Sequence, residues 1–177
     1  MLCPFLFPVR RIAAILVSGL VSGLVSGAVL TGAAVPALGK ETAMDLQAAG
    51  TFDVSLTPDG TPDAGPDGTK LGMMLLDKRF HGPLEATGQG RMLTAMTGVE
   101  GSAVYVALER VTGTLDGRSG SFVLRHVGTM DRGHQHLSIS VVPDSGSGDL
   151  AGLSGEMRIR VADGQHFYDF SYSLPDD

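Results

Sequence analysis

"AVYVALERVTGTLDGRSGSFVLRHVG", residues 103–128, contains two alternating runs joined by an Asp-Gly pair. Side chains of an extended strand point to opposite faces in turn. Tyr105, Ala107, Glu109 and Val111 therefore share one side of the first run, and Val104, Val106, Leu108 and Arg110 share the other. In the second run Phe122, Leu124 and His126 oppose Ser121, Val123, Arg125 and Val127. Asp116-Gly117 is a strong two-residue turn signal, so the stretch reads as an antiparallel hairpin. Gly117-Arg118-Ser119-Gly120-Ser121 resembles a serine-hydrolase elbow only in part. That motif needs glycine two residues after the serine and a helix following, whereas Ser121 and an alternating run stand there.

The same texture extends in both directions. "TFDVSLT" from Thr51 sets Phe52, Val54 and Leu56 against Asp53, Ser55 and Thr57. Short runs punctuated by glycine follow, among them "KLGMMLLDKRF", "GPLEATGQG", "RMLTAM", "QHLSISVVP", "LAGLSGEMRIRV" and "HFYDFSYSL". No capped 3.6-residue periodicity of helical length occurs after Gly50, and the spacing predicts eight or nine strands. Short turns between consecutive runs favour antiparallel pairing, and closure into a small barrel removes exposed edges. The predicted fold is therefore all-β: a closed antiparallel barrel of about eight strands over residues 51–177, with 40–50 as a lead segment.

Residues 1–39 differ from the rest. Arg10 and Arg11 precede an uncharged run from Ile12 to Gly39, the layout of an export leader. Two readings stand: a cleaved signal peptide, with small residues around Val35-Pro36-Ala37 and Ala37-Leu38-Gly39, or an uncleaved membrane anchor through residues 12–35. Gly19, Gly23 and Gly27 are spaced as in helix-packing anchors, which keeps the second open. Both readings place the barrel outside the cytoplasm, in a periplasmic, extracellular or membrane-anchored position.

Without the two leader arginines, the 13 basic residues of the chain fall to 11 against 19 acidic ones. An acidic body lacks the basic face that nucleic acid requires. The single cysteine, Cys3, lies in the leader, so the domain offers neither a disulfide nor a thiolate metal site. Asp59, Asp63 and Asp67 in "PDGTPDAGPDGT" lack the bidentate glutamate of a calcium loop. His134 and His136 share one side of an extended chain, but two loop histidines ordinarily face water, and no metal or cofactor is expected.

With the aromatic faces turned inward, the lumen collects Tyr105, Phe122, His166, Tyr168 and Tyr172 around Glu109 and His126. An apolar surface with a few polar groups has the character of a small-molecule site, although small barrels also fill their interiors with side chains. Glu109 beside His126 or His166 would be a proton-exchanging pair, and the alternative is a buried ion pair with no chemistry.

"YVALERVTGTLDGRSGSFVLRHVGTM", "SISVVPDSGSGDLAGLSGEMRI" and "GQHFYDFSYSL" resemble a bacterial domain-of-unknown-function family whose members adopt a barrel similar to plant allene oxide cyclase. "FDVSLTP" and "KRFHGPLEATGQGRML" extend the likeness over nearly all of the chain after the leader. The resemblance implies a compact antiparallel barrel and allows homo-oligomers, and it carries no established activity. Asp144 stands in "VVPDSGSG" where the family more often has glycine, and the export leader is unusual in it. The expected function is an exported barrel binding a small, largely apolar molecule. The alternatives are a cofactor-independent cyclase or isomerase using Glu109 and His126 on such a ligand, or a packed barrel that works through its surface.

Overall fold

The computed structural model describes residues 46–175, so the leader, its cleavage and anchor readings, and residues 40–45 lie outside the described part. Ten strands follow one another: β1 (Leu46–Pro58), β2 (Asp63–Ala64), β3 (Lys70–His81), β4 (Leu84–Met96), β5 (Ala103–Leu115), β6 (Arg118–Asp131), β7 (His134–Val141), β8 (Ser147–Gly148), β9 (Ser154–Ala162) and β10 (Gln165–Ser173). Eight long strands close a ring in the order β1-β10-β9-β7-β6-β5-β4-β3 and back to β1, every pairing antiparallel. The two short strands add to it, β2 along β3 and β8 along β6. Among the described residues no helix is long and apolar enough to cross a membrane.

Tight turns set the register. Asp116-Gly117, Arg132-Gly133 and Asp163-Gly164 each join consecutive strands through two residues of positive φ, with values of 48° and 81°, 47° and 88°, and 52° and 78°. Paired positive φ is the backbone of the primed turns, whose twist matches that of the flanking strands. Asp144 also has a positive φ of 60°, a backbone conformation that glycine adopts without strain.

Several boundaries differ from the expected ones; "LAGLSGEMRIRV", for one, is strand only from Ser154. Strand β1 begins at Leu46 rather than Thr51, because its first inward positions after Leu46 are Ala48 and Gly50, too small to show an apolar alternation. A Cβ at Gly50 would lie 2.1 Å from the carbonyl oxygen of His81, so only glycine lets β1 approach there. "GPLEATGQG" and "RMLTAM" form the single strand β4, unbroken by Gly88 and Gly90.

The aromatic faces do point inward. Most of the barrel is filled by one core that includes Phe80, Val111, Phe122, Leu124, Tyr168, Phe170 and Tyr172. Leu150 and Leu153, from the connection between β7 and β9, belong to this core and close that end. A smaller cluster of Leu76, Met92 and Ala107, with Leu56, Met74 and Tyr105 against it, occupies the opposite end.

Candidate functional site

Where the two clusters meet, the interior is charged. Lys78, Glu109 and His126 are the buried polar side chains among the described residues, and Glu109 has 0% of its surface exposed. Lys78 projects inward from β3 between Leu76 and Phe80. Its partner on β4 is Gly88, and the partner of Glu109 on that strand is Gly90. Lys78 and Glu109 thus sit two strands apart, roughly 10 Å between backbones. Their side chains meet because β4 puts no Cβ between them.

Lys78 Nζ donates to Glu109 Oε2 at 2.8 Å. The ammonium also faces the rings of Phe52 and Phe80, 5.1 and 5.5 Å from their centroids. His126 Nε2 stands 2.9 Å from the same carboxylate oxygen, off the line of a well-aligned hydrogen bond. Glu109 Oε1, buried, has no hydrogen-bond partner. A Cβ at Gly88 would come within 2.0 Å of that oxygen, so Glu109 occupies the space the glycine leaves.

The protonation states follow from the surroundings. Burial pushes the Glu109 carboxyl up, but the His126 contact and the Lys78 charge outweigh it and hold the group below its ordinary value. Burial pulls His126 down, and Lys78 adds to that against the pull of Glu109. Near neutral pH the cluster is an ionised carboxylate between an ammonium and a neutral imidazole.

The wall beside the cluster is parted. β7 and β9 pair only at Ile139↔Met157 and Ser140↔Glu156. Beyond these pairs the strands diverge, and the inward-row residues Leu137 and Val161 are left 39% and 38% exposed. His126 pairs with Ile139, in the last row before the gap. The charged cluster therefore lies, buried, next to the stretch of wall where the β7–β9 ladder ends.

The other expected site residues distribute unevenly. Tyr105 lines the smaller cluster, its ring against Gly128, where a Cβ would lie 2.1 Å away, and burial raises its phenol. His166 is half-buried next to Phe52, ring centroids 5.0 Å apart, and its imidazole is pulled down by burial and then by Lys78. The Phe52 ring lies against both His166 and Lys78, so His126 is the histidine in contact with Glu109. Phe122 stacks on Phe170 within the filled core, at 5.9 Å.

Tyr168 accepts from Leu84 N at 3.1 Å and donates to the His81 carbonyl at 3.3 Å, holding the β3–β4 turn to β10. Tyr172 donates to Asp116 Oδ2, and burial together with that bond pushes its phenol up to about 12. These two hydroxyls brace the barrel. His134 and His136 are exposed on β7, and among the described residues no group of three metal-binding side chains converges.

Lys78 is the member that sequence reasoning did not single out. The signal was the two-residue alternation Leu76, Lys78, Phe80, which puts the lysine on the buried face.

The family described as "Protein of unknown function (DUF3224)" matches residues 48–172, which takes in the barrel and every member of the cluster. The chain belongs to the DUF3224 family. A crystal structure of a DUF3224 protein of unknown function from Shewanella oneidensis MR-1 is similar to this chain at 51% sequence identity and a TM-score of 0.72. The match covers 76% of this chain and 100% of the other. No curated protein matches. Both descriptions leave the activity open, and neither mentions a cyclase.

Proposed function

We propose that this DUF3224 protein is an exported barrel that binds a small, largely apolar molecule in the half-open section of its interior, with a polar group of the ligand against the Lys78–Glu109–His126 cluster. The observation that carries this reading is the unpartnered, buried Oε1 of Glu109, on a carboxylate that the His126 imidazole approaches to 2.9 Å. A buried ion pair is a poor way to gain stability, because desolvation offsets most of its attraction, and apolar residues of similar volume do as well or better. A carboxylate kept ionised with one oxygen unsatisfied is the kind of expense found at functional sites. The gap between β7 and β9 supplies the route, and its apolar walls supply the ligand class.

A second reading builds on the same atoms. An ionised carboxylate with an imidazole nitrogen 2.9 Å away is an acid–base pair, which suits a cofactor-independent cyclase or isomerase acting on the bound molecule.

Native mass spectrometry of the protein from its own envelope fraction, compared with the denatured mass, tests the binding. Excess mass released on denaturation is expected, and its loss in a folded Lys78→Met/Glu109→Leu double variant ties the ligand to the cluster. An apoprotein mass in the wild type overturns the reading. A Glu109→Gln variant that keeps the ligand but no longer converts it would separate catalysis from binding.

A further inference from the structure

The buried charges of the barrel balance only while His126 is neutral. With Lys78 and Glu109 ionised, the interior then holds one cation against one anion, and a proton on His126 makes it two against one. No second carboxylate faces the imidazole. β1 presents Phe52 to the cluster, β4 presents Gly88 and Gly90, β7 presents Ile139 and β9 presents Met157. The other titratable groups of the inner wall are His166 behind the Phe52 ring, Tyr105 against Gly128, and Tyr168 bonded at the β3–β4 turn. None of these is an anion near neutral pH. Asp53, whose charge acts on His166, is exposed on the outer face, and Asp116 is held by Tyr172 at the far end.

The wall next to His126 is also the least tied part of the ring. His126, Ile139 and Met157 are successive partners across β6, β7 and β9, all three buried in one inward row. Ile139↔Met157 is one of the two pairs that join β7 to β9, whereas β5 and β6 pair from Ala103↔Met130 to Leu115↔Arg118. We propose that this seam is an acid-opened gate: a proton taken up by His126 parts the two β7–β9 pairs and lets water reach the cluster while the rest of the ring stays closed. The sign follows from linkage. Burial, and then Lys78, hold the imidazole below its ordinary 6.5 in the closed barrel, and contact with water returns it toward that value. The open form therefore binds the proton more tightly and gains population as the pH falls below 6.5, by up to ~30-fold between pH 7.5 and 5.0. The gate needs only the cluster and the seam, so it stands or falls apart from ligand binding.

Hydrogen exchange of the full chain, corrected for the intrinsic effect of pH on amide exchange, tests the gate. Between pH 7.5 and 5.0, peptides from 134–141 and 154–162 are expected to lose protection by about 10- to 30-fold. Their exchange at pH 5.0 is expected to be indifferent to sub-denaturing urea, the mark of a small local opening, while exchange of 104–112 stays slower and rises with urea. His126→Leu and His126→Gln are expected to remove the pH response, and His166→Gln to keep it. A Ser140→Cys/Glu156→Cys disulfide in a Cys3→Ser background joins the outward pair of the seam and is expected to hold it shut at pH 5.0. The disulfide tests the gate even where the His126 variants do not fold. Seam protection that is the same at both pH values, a response that survives without His126 or is lost with His166, or opening that persists under the disulfide overturns the proposal. So does seam exchange that rises with urea as 104–112 does, which is global unfolding rather than a gate.

Discussion

Replacing Glu109 with glutamine would leave the Lys78 ammonium between Phe52 and Phe80 without its ion-pair partner. Removing one member of a buried pair typically costs about 3–5 kcal/mol, whereas exchanging the whole pair for apolar residues is often neutral. Glu109→Gln is therefore expected to lower stability by about 3 kcal/mol in chemical denaturation, and Lys78→Met added to Glu109→Leu to recover most of it. The pH dependence has a definite sign. Glu109 and His126 both titrate lower in the folded chain than in the unfolded one, so the unfolded state binds more protons. Stability is full above the ordinary imidazole value of 6.5, falls as His126 is forced to protonate, and falls again below the ordinary carboxyl value of 4.5. Denaturation midpoints measured from pH 7.5 to 4 should show both steps, and a flat profile would mean the cluster is not closed off from water. Glu109 and His126 were legible in the sequence because each interrupts an inward alternation of apolar residues. Lys78 was passed over because it sits in "DKRF", which reads as a charged surface, although the Leu76–Lys78–Phe80 alternation puts it on the buried face. Its anion is on a strand two places away, reached across a glycine gap that no local pattern reveals.

Strands whose two sides are both paired should outlast those at the parted wall. β5 pairs with β4 and β6 along its whole length, while β7 and β9 meet over two residue pairs. In hydrogen exchange, peptides from residues 134–138 and 158–162 are expected to exchange faster than those from 104–112, because local opening follows the least paired backbone. Equal protection would mean that the gap between β7 and β9 is filled in solution. At this scale the sequence was most readable where turn chemistry and alternation coincide. Asp116-Gly117 marked its hairpin, and the inward sets Tyr105–Val111 and His166–Tyr172 took the faces that their periodicity assigns. It was least readable where small residues carry the inward positions. Ala48 and Gly50 hid the start of β1, and Gly88 and Gly90 divided β4 on paper into two runs. Glycine in these strands marks close approach by a neighbour rather than the end of an element.

The ring is closed by its ends. β1 pairs with β10 on one side and β3 on the other, and Leu46 is the partner of Tyr172, so the first and last strands of the barrel lie side by side. In an antiparallel pair such partners have Cα atoms about 5 Å apart, a span that a linker of about four residues crosses without strain. The pairing itself could not be read from the sequence, since it joins residues at opposite ends of the barrel and leaves no local signal. It makes the closure separable from chain order. A permuted barrel in which Pro175 is joined to Leu46 and the chain is opened between Arg132 and Gly133, at an exposed two-residue turn, retains every ladder in the ring. The permutation converts the β1–β10 pairing into a hairpin and turns β6–β7 into the long-range closure, so the entropic cost of closure moves rather than grows. The permuted chain is expected to keep the all-β circular dichroism and to melt cooperatively within several degrees of the unpermuted barrel. If it is unfolded, the tight turn between β6 and β7 nucleates the ring, and topology alone does not account for folding.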